Sequence, residues 1–151
     1  IDAADRNLIL DSLEEMLARI RVSLGGRAAE MLYYGQDAGL ATGASGDLEH
    51  ATNIARQMIC RYGMDGDFGL LAAPELLSRP GAVGTPVYQE VCRRAGAMLK
   101  EQLDATLKLL EQHKSHLDGV AKALIERNRL HRKDLEGILP KPAGNPEGGA
   151  P

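Results

Sequence analysis

Apolar residues recur at helical spacing from residue 12 onward. Ser12 followed by Glu15 is a capping-box pattern, which predicts that a helix begins there. The apolar residues after it fall three or four positions apart, as one face of a helix requires: Leu13, Met16, Leu17, Ile20 and Leu24. The stripe continues beyond Gly25 and Gly26, which predicts one helix whose glycines let another backbone approach closely.

A glycine-rich segment separates the first predicted helix from the second. Residues 35–46 (GQDAGLATGASG) predict a loop, and Ser45 or Asp47 is a candidate cap for the helix after it. Apolar residues then resume at helical spacing: Leu48, Ala51, Ile54, Ala55, Met58 and Ile59. Gly63 predicts the end of this helix, because glycine readily adopts the left-handed conformation that closes many helices.

An irregular region rich in Pro and Gly precedes the longest predicted helix. Within it, the apolar residues 68–73 predict at most a short isolated strand. Thr85 followed by Pro86 is a cap with proline at the first helical position, so a long helix is predicted to begin there. Its apolar positions follow in steps of three and four: Val87, Val91, Met98, Leu99, Leu103, Leu107 and Leu110.

Two further elements and a tail are predicted for the last part of the chain. A capped helix opens at residues 115–118, and a short turn follows over 134–139. Residues 140–151 (PKPAGNPEGGAP) lack apolar side chains to bury, which predicts a disordered tail. We therefore expect an all-α fold, a bundle of about four to five helices with little or no strand, forming one domain over 1–139.

Composition and charge narrow the classes of function. With 44% hydrophobic but only 3% aromatic residues, the core must be built from aliphatic side chains, which suits packed helices. A net charge of -3 excludes the strongly basic face that nucleic-acid binding requires. Cys60 and Cys92 lack CxxC spacing, which predicts buried, reduced thiols. No apolar run approaches the ~20 residues that a membrane span needs. A soluble, cytoplasmic domain is expected.

Two segments carry a specific family pattern. Residues 24–32 read LGGRAAEML, and residues 42–64 read TGASGDLEHATNIARQMICRYGM. Together they resemble the FtsH-type AAA+ zinc metalloproteases, in which LGGRAAE, a glycine loop, TGAxxDLxxAT and RYGM follow in this order at nearly this spacing. The resemblance extends loosely to about Leu139, so it covers nearly everything except the tail.

The resemblance implies one metal ligand in this chain. In the family, two histidines of a helical HExxH and one aspartate from the start of a later helix hold zinc, and the HExxH glutamate is the general base. By its position in TGAxxDL, Asp47 is the implied third ligand. Hydrolytic zinc sites take three protein ligands and leave a fourth position for water. An aspartate here also suits a helix N-terminus, and the two roles are compatible.

The sequence departs from the family pattern in one important respect. It contains no HExxH among its four histidines, and in the family that motif precedes LGGR by some tens of residues, which here falls ahead of Ile1. The chain alone is therefore predicted to have no catalytic residue, no peptidase activity and at most weak zinc affinity. Gly46 also replaces the asparagine usual before the aspartate, and the preceding loop is longer than is typical.

Other candidate residues are weaker. His50 lies three residues after Asp47, and an exposed histidine is the better interpretation than a ligand. His113 and His116 are also three residues apart, with no carboxylate or cysteine to complete a ligand set. Arg27 and Glu30, within LGGRAAE, are most simply interpreted as a structural ion pair or a domain-packing contact. Without a GxxxxGK[ST] motif, ATP would be bound only by an AAA+ module outside this chain.

Two functions remain open at this stage. In the first, the chain is part of an ATP-dependent zinc metalloendopeptidase that degrades unfolded and membrane proteins, in a membrane-anchored parent. The family resemblance then implies a homo-oligomer, a hexamer, together with unfolded polypeptide substrates and the AAA+ module as partners. In the second, it is a non-catalytic, protease-like helical module for oligomer assembly or substrate scaffolding. An HExxH in the parent sequence would distinguish the two.

Overall fold

The computed structural model describes residues 11–35, 42, 45–70, 74–127 and 131–140. These residues form helices and turns without a strand, which confirms the predicted all-α fold. The helices in chain order are α1 (Leu13–Tyr34), α2 (Ser45–Cys60), α3 (Pro74–Ser78), α4 (Pro86–Gln112), α5 (Lys114–Arg127) and α6 (Arg132–Ile138). None of these six combines the length and the apolar character that a membrane span needs.

Helix α1 begins with the predicted capping box. The Ser12 Oγ accepts a hydrogen bond from the Glu15 N–H at 3.2 Å, and the Ser12 N–H donates to the Glu15 carboxylate at 2.6 Å. The helix runs unbroken through Gly25 and Gly26, as predicted. The expected close approach of another backbone is wrong for the described residues, because none of them would lie within 4 Å of a Cβ at either glycine.

Helix α2 begins slightly earlier than the cap prediction required. Since its first residue is Ser45, both Ser45 and Asp47 lie inside the first turn, and neither occupies the cap position. The predicted end is confirmed, because the helix closes at Cys60 and Gly63 follows with φ +61°. The Met64 N–H reaches back to the Met58 carbonyl at 2.9 Å, which returns the chain over the helix end.

The region between α2 and α4 is irregular, as predicted. Residues 65–70 contain turns, so the strand expected at 68–73 is absent from 68–70, and 71–73 lie outside the described residues. The five-residue helix α3 follows. The Thr85 Oγ then accepts from the Tyr88 N–H at 3.3 Å, which confirms the predicted start of α4.

Helix α4 buries two polar side chains that the apolar stripe did not predict. Gln102 is 6% exposed and Thr106 is 4% exposed. The Gln102 side-chain oxygen accepts from the Arg21 guanidinium at 2.8 Å, and the Thr106 hydroxyl donates to the Gln102 carbonyl at 2.7 Å. Both side chains are therefore hydrogen-bonded, as buried polar groups need to be. Arg21 joins α1 to α4.

The chain divides into two compact units, Ile1–Leu109 and Leu110–Pro151. The first contains a hydrophobic core drawn from α1, α2 and α4: Met16, Ile20, Leu24, Ala51, Ile54, Ala55, Met58, Ile59, Cys60, Val91 and Ala95. Cys60 and Cys92 are both free thiols. The prediction that both are buried is wrong for Cys92, which is exposed because it lies on the outer side of α4.

The second unit is much less buried. Helices α5 and α6 contact each other, with the Gly119 backbone close to Ile138 and the Arg127 guanidinium 2.8 Å from the Asp134 carboxylate. Neither helix buries a residue. Helix α5 begins at Lys114, one residue before the predicted opening. Residues 141–151 lie outside the described part, so the predicted tail and the 1–139 domain stay predictions.

Candidate functional site

Helix α2 has two contrasting sides. Its inward side is anchored by apolar residues of the core: Ala51, Ile54, Ala55, Met58, Ile59 and Cys60. Exposed polar residues such as Asn53 lie on its outward side, whereas Asp47 is exposed in the first turn of the helix, in line with Ala51 and Ile54 four and seven residues further on. Because the core holds one side of the helix, the position of the polar side relative to α1 is defined.

Asp47 is the third residue of α2 and its carboxylate side chain is exposed. The first turn of a helix carries N–H groups without intrahelical partners and a partial positive charge, both of which favour a negative group there. Local helix geometry thus accounts for an aspartate at this position. It also leaves the carboxylate accessible to a group that approaches α2 from outside.

His50 lies on the same side of α2, one turn further along. It lines a cavity of about 670 Å³, together with Asp11, Arg19, Asn53 and Gln57. No metal site is formed here by His50 and Asp47 alone, because zinc in hydrolytic sites takes three protein ligands. His50 lines this cavity, whereas Asp47 does not.

The described residues do not provide a complete zinc site. Among them, no three His, Cys, Asp or Glu side chains come together closely enough to hold a metal ion. Asp47 fits one position of a zinc coordination sphere by its chemistry and its exposure. The remaining ligands would have to come from residues beyond those described.

His113 and His116 do come together, at the start of the second unit. Their ring centroids lie 5.6 Å apart with planes inclined at 48°. The His116 Nδ1 is buried and has no hydrogen-bond partner among the described residues. Among the described residues, no third His, Cys, Asp or Glu joins these two histidines to make a metal site.

The LGGRAAE segment contributes packing to α1. Leu24 and Ala28 are buried in it. Arg27 and Glu30 form no ion pair with each other within the described ranges, so the ion-pair alternative is wrong there, and the packing contact stays a prediction. One Glu30 carboxylate oxygen is buried without a partner among those residues.

The RYGM segment is held by a feature that sequence reasoning missed. The Asp65 carboxylate accepts from the N–H groups of Asp67 and Phe68 at 3.0 and 2.9 Å, and from the Arg94 guanidinium at 2.8 Å. Arg94 also donates to Glu90 at 2.6 Å. An aspartate followed by backbone donors two and three residues on is typical of an Asx turn, a local signal that could have identified Asp65. No comparable signal in the sequence indicates that Asp65 also binds Arg94 on α4.

A groove along the outward side of α2 was also missed. Three cavities, of about 530, 670 and 210 Å³, are all lined by Asn53. The first is bounded by Ser45 and Leu48 near the start of α2, and the last by Arg56 and Arg61 at its end. We call these three cavities the α2 groove. Asp47 lines none of them.

Comparison with known proteins agrees with these features. The sequence matches the model of peptidase family M41 over residues 4–138. It is 34% identical over 142 residues to the ATP-dependent zinc metalloprotease FtsH of Chloroflexus aggregans, covering 88% of this chain and 22% of that protein. The corresponding protein of Ralstonia pickettii is 35% identical over 164 residues, with coverage of 95% and 22%.

A third relative, the ATP-dependent zinc metalloprotease FtsH of Rhodococcus erythropolis, is 35% identical over 144 residues, covering 89% of this chain and 16% of that protein. The chain thus spans between 16% and 22% of the length of these three relatives. The match extends over nearly all of the described helices and includes both motif segments. The chain belongs to peptidase family M41.

Proposed function

We propose that this chain is the helical part of an ATP-dependent zinc metalloendopeptidase domain, in which Asp47 is the third protein ligand of zinc. The observation that carries the proposal is the place of Asp47: an exposed carboxylate in the first turn of a helix that is packed into the core. Its support is the TGAxxDL motif and the relatives, which are named zinc metalloproteases.

The contribution of Asp47 is to hold a negative oxygen at a defined point. Core packing of α2 restrains the helix, and the first turn directs the carboxylate outward. A partner helix that carries two histidines and packs against α1 would complete the ligand set. When bound, zinc supplies a Lewis acid that polarises the scissile carbonyl and acidifies a water.

The chain alone is proposed to be inactive. It offers one of three expected ligands, and no residue in it is assigned as general base. Purified chain should therefore hydrolyse casein no faster than buffer, with or without added zinc. Chelator-sensitive hydrolysis by homogeneous protein would contradict this part of the proposal.

The wider activity is proposed from the relatives' names and the family resemblance. An AAA+ module outside this chain would bind ATP and deliver unfolded or membrane polypeptides to the peptidase domain. The assembly would be a hexamer of a membrane-anchored parent. Within this arrangement the helical part supplies Asp47.

Substitution of Asp47 tests the proposal in a complete, HExxH-containing parent. Asp47→Asn keeps the size of the side chain but removes the charge, so zinc affinity and proteolysis should fall by more than about tenfold. ATP hydrolysis should stay near the parental rate. The matched control is Glu49→Gln, two residues along and also exposed, which should keep both zinc and proteolysis.

The same experiment distinguishes the alternative function. If Asp47→Asn keeps its zinc and digests substrate at the parental rate, Asp47 is a helix-terminus residue and nothing more. If the parent has no HExxH at all, the non-catalytic module becomes the better account. The observation that favours that alternative is the lack of a complete ligand set among the described residues.

A further inference from the structure

His113 and His116 lie where α4 ends and α5 begins. Helix α4 ends at Gln112 and α5 begins at Lys114, so His113 is the residue between the two helices. The His113 carbonyl accepts hydrogen bonds from the N–H groups of His116 and Leu117, at 3.0 and 3.1 Å. His113 is therefore the N-cap residue of α5, and His116 is the third residue of that helix.

These two positions bring groups together elsewhere in the protein. At the start of α1 the same positions are occupied by Ser12 and Glu15, whose side chains and backbone N–H groups form a capping box. In α5 both positions carry imidazole rings, with centroids 5.6 Å apart and planes inclined at 48°. The backbone hydrogen bonds of the first turn thus hold the two rings near each other.

One nitrogen of this pair lacks a partner. The His116 Nδ1 is buried and makes no hydrogen bond with the described residues. Buried polar atoms are nearly always hydrogen-bonded, so an exception requires an explanation, such as a bound ion. Both histidines are only half-buried as whole residues, and the ring torsion of histidine is soft. A small rotation of the ring therefore turns Nδ1 toward an ion that arrives from solvent.

Imidazole nitrogens select the kind of ion. They suit zinc, copper and nickel, whereas magnesium and calcium prefer oxygen ligands. An ion about 2.0–2.1 Å from one nitrogen of each ring places the ring centroids about 4.5–6.5 Å apart, and the observed 5.6 Å lies inside this range. Once one ring binds the ion, the second ring is already beside it, so its binding is effectively intramolecular.

We propose that His113 and His116 form a two-histidine site for one divalent ion of the nickel, copper and zinc group, with the His116 Nδ1 as one ligand atom. No third side chain of a metal-binding type joins the pair among the described residues, so water completes the coordination sphere. The site lies in the second compact unit and does not depend on the proposed function of Asp47. A bound ion fastens the first turn of α5, in a unit whose helices bury no residue.

Titration calorimetry of the untagged chain with Ni²⁺ tests the site. Ni²⁺ binds imidazole well, and a Cys92→Ser background removes the exposed thiol as a competing ligand. One ion should bind per chain, and an excess of Mg²⁺ should not displace it. Cu²⁺ should bind more tightly than Ni²⁺, as the order of affinities among the divalent ions requires.

Substitution of either histidine should weaken the binding. His113→Ala and His116→Ala should each lower the Ni²⁺ affinity by more than about tenfold, since loss of even an outer-shell partner of a metal costs about that much. The matched control is His131→Ala, which removes an exposed histidine at the start of α6 and should retain the affinity. Circular dichroism verifies the helix content. Should an alanine variant fail to fold, His113→Asn decides, because asparagine suits the N-cap position.

Nuclear magnetic resonance locates the bound ion. Paramagnetic Ni²⁺ should broaden the amide signals of residues 110–120 first, ahead of those near His50 and His131. The thermal unfolding midpoint of the chain should also rise with added Ni²⁺, because a ligand that binds only the folded state stabilises it. Asp47→Asn should change none of these results, which separates this site from the proposed zinc ligand.

Several outcomes would overturn the site. They are the absence of Ni²⁺ binding, an affinity that survives both histidine substitutions, and broadening centred away from the junction of α4 and α5. An equal loss of affinity in His131→Ala and His116→Ala would show that the chain binds metal through any histidine, and the proposal would be wrong.

Discussion

Helices α2 and α5 look alike in sequence and differ in the structure. Both have apolar residues at helical spacing, over 16 and 14 residues respectively. Yet α2 buries six residues and α5 buries none. An amphipathic stripe predicts that a helix forms, but burial depends on the elements that cover the stripe.

The difference follows from the partners of each helix. In the first unit, α2 packs on α1 and shares a core with α4, which removes Met58 and Ile59 completely from solvent. In the second unit, α5 contacts the seven-residue α6, and Ile125 remains 82% exposed. Helix α2, which carries Asp47, is therefore held by a packed core, which a precisely placed ligand requires.

The largest expected effect lies in the core side of α2. Met58→Ala should lower the free energy of unfolding by about 2–5 kcal/mol, because it removes a fully buried side chain and leaves a cavity. The matched substitution on α5, Leu124→Ala, should cost within about 0.5 kcal/mol, since Leu124 is 44% exposed. Urea unfolding monitored by circular dichroism measures both. Equal losses would remove the contrast between the two helices.

An intermediate effect is expected at the turn after α2. Asp65→Ala removes a carboxylate that is 15% exposed and accepts from two backbone N–H groups and Arg94. The predicted loss of stability is about 1–3 kcal/mol, the cost of leaving such donors unpaired.

The control lies in the second unit. Arg132→Gln breaks the exposed ion pair with Glu136, which should change stability by less than about 1 kcal/mol. Thermal unfolding of both variants would test the difference. A loss at Arg132 as large as that at Asp65 would show that ion pairs in the two units contribute alike.

The smallest effect concerns acid stability. Hydrogen bonds from Arg93, with those from Arg94, lower the pKa of Glu90 from 4.5 to about 2. A carboxyl whose pKa is lower in the folded state stabilises the fold above its unfolded pKa, and that contribution is lost as pH falls from about 4.5 toward 2. Glu90→Gln should therefore reduce stability slightly at pH 7, and the difference from wild type should disappear near pH 2. A difference that is the same at both pH values would contradict this assignment.

Local signals predicted much of the fold from the sequence. Ser12 with Glu15, and Thr85 with Pro86, marked helix starts because capping depends on residues three positions apart. The family motif placed Asp47 at the start of a helix, and it lies in the first turn of α2. Long-range contacts could not be predicted from such local patterns, because nothing in the spacing of Gln102 indicates its hydrogen bond with Arg21.

The α2 groove shows the same limit at the candidate site. Asn53, Arg56 and Arg61 are ordinary surface residues in the sequence, and their common cavity exists only once α3 packs beside the end of α2. For Arg27 and Glu30 the sequence left open an ion pair or a packing contact, and the described structure does not form the ion pair. Helical spacing allows such a contact without requiring it.

The most direct test of the central claim is a crystal structure of the complete peptidase domain with data collected at the zinc absorption edge. We predict an anomalous peak about 2.0–2.2 Å from a carboxylate oxygen of Asp47, with two histidines of the HExxH helix as the other protein ligands. A zinc peak whose protein ligands exclude Asp47 would contradict the account.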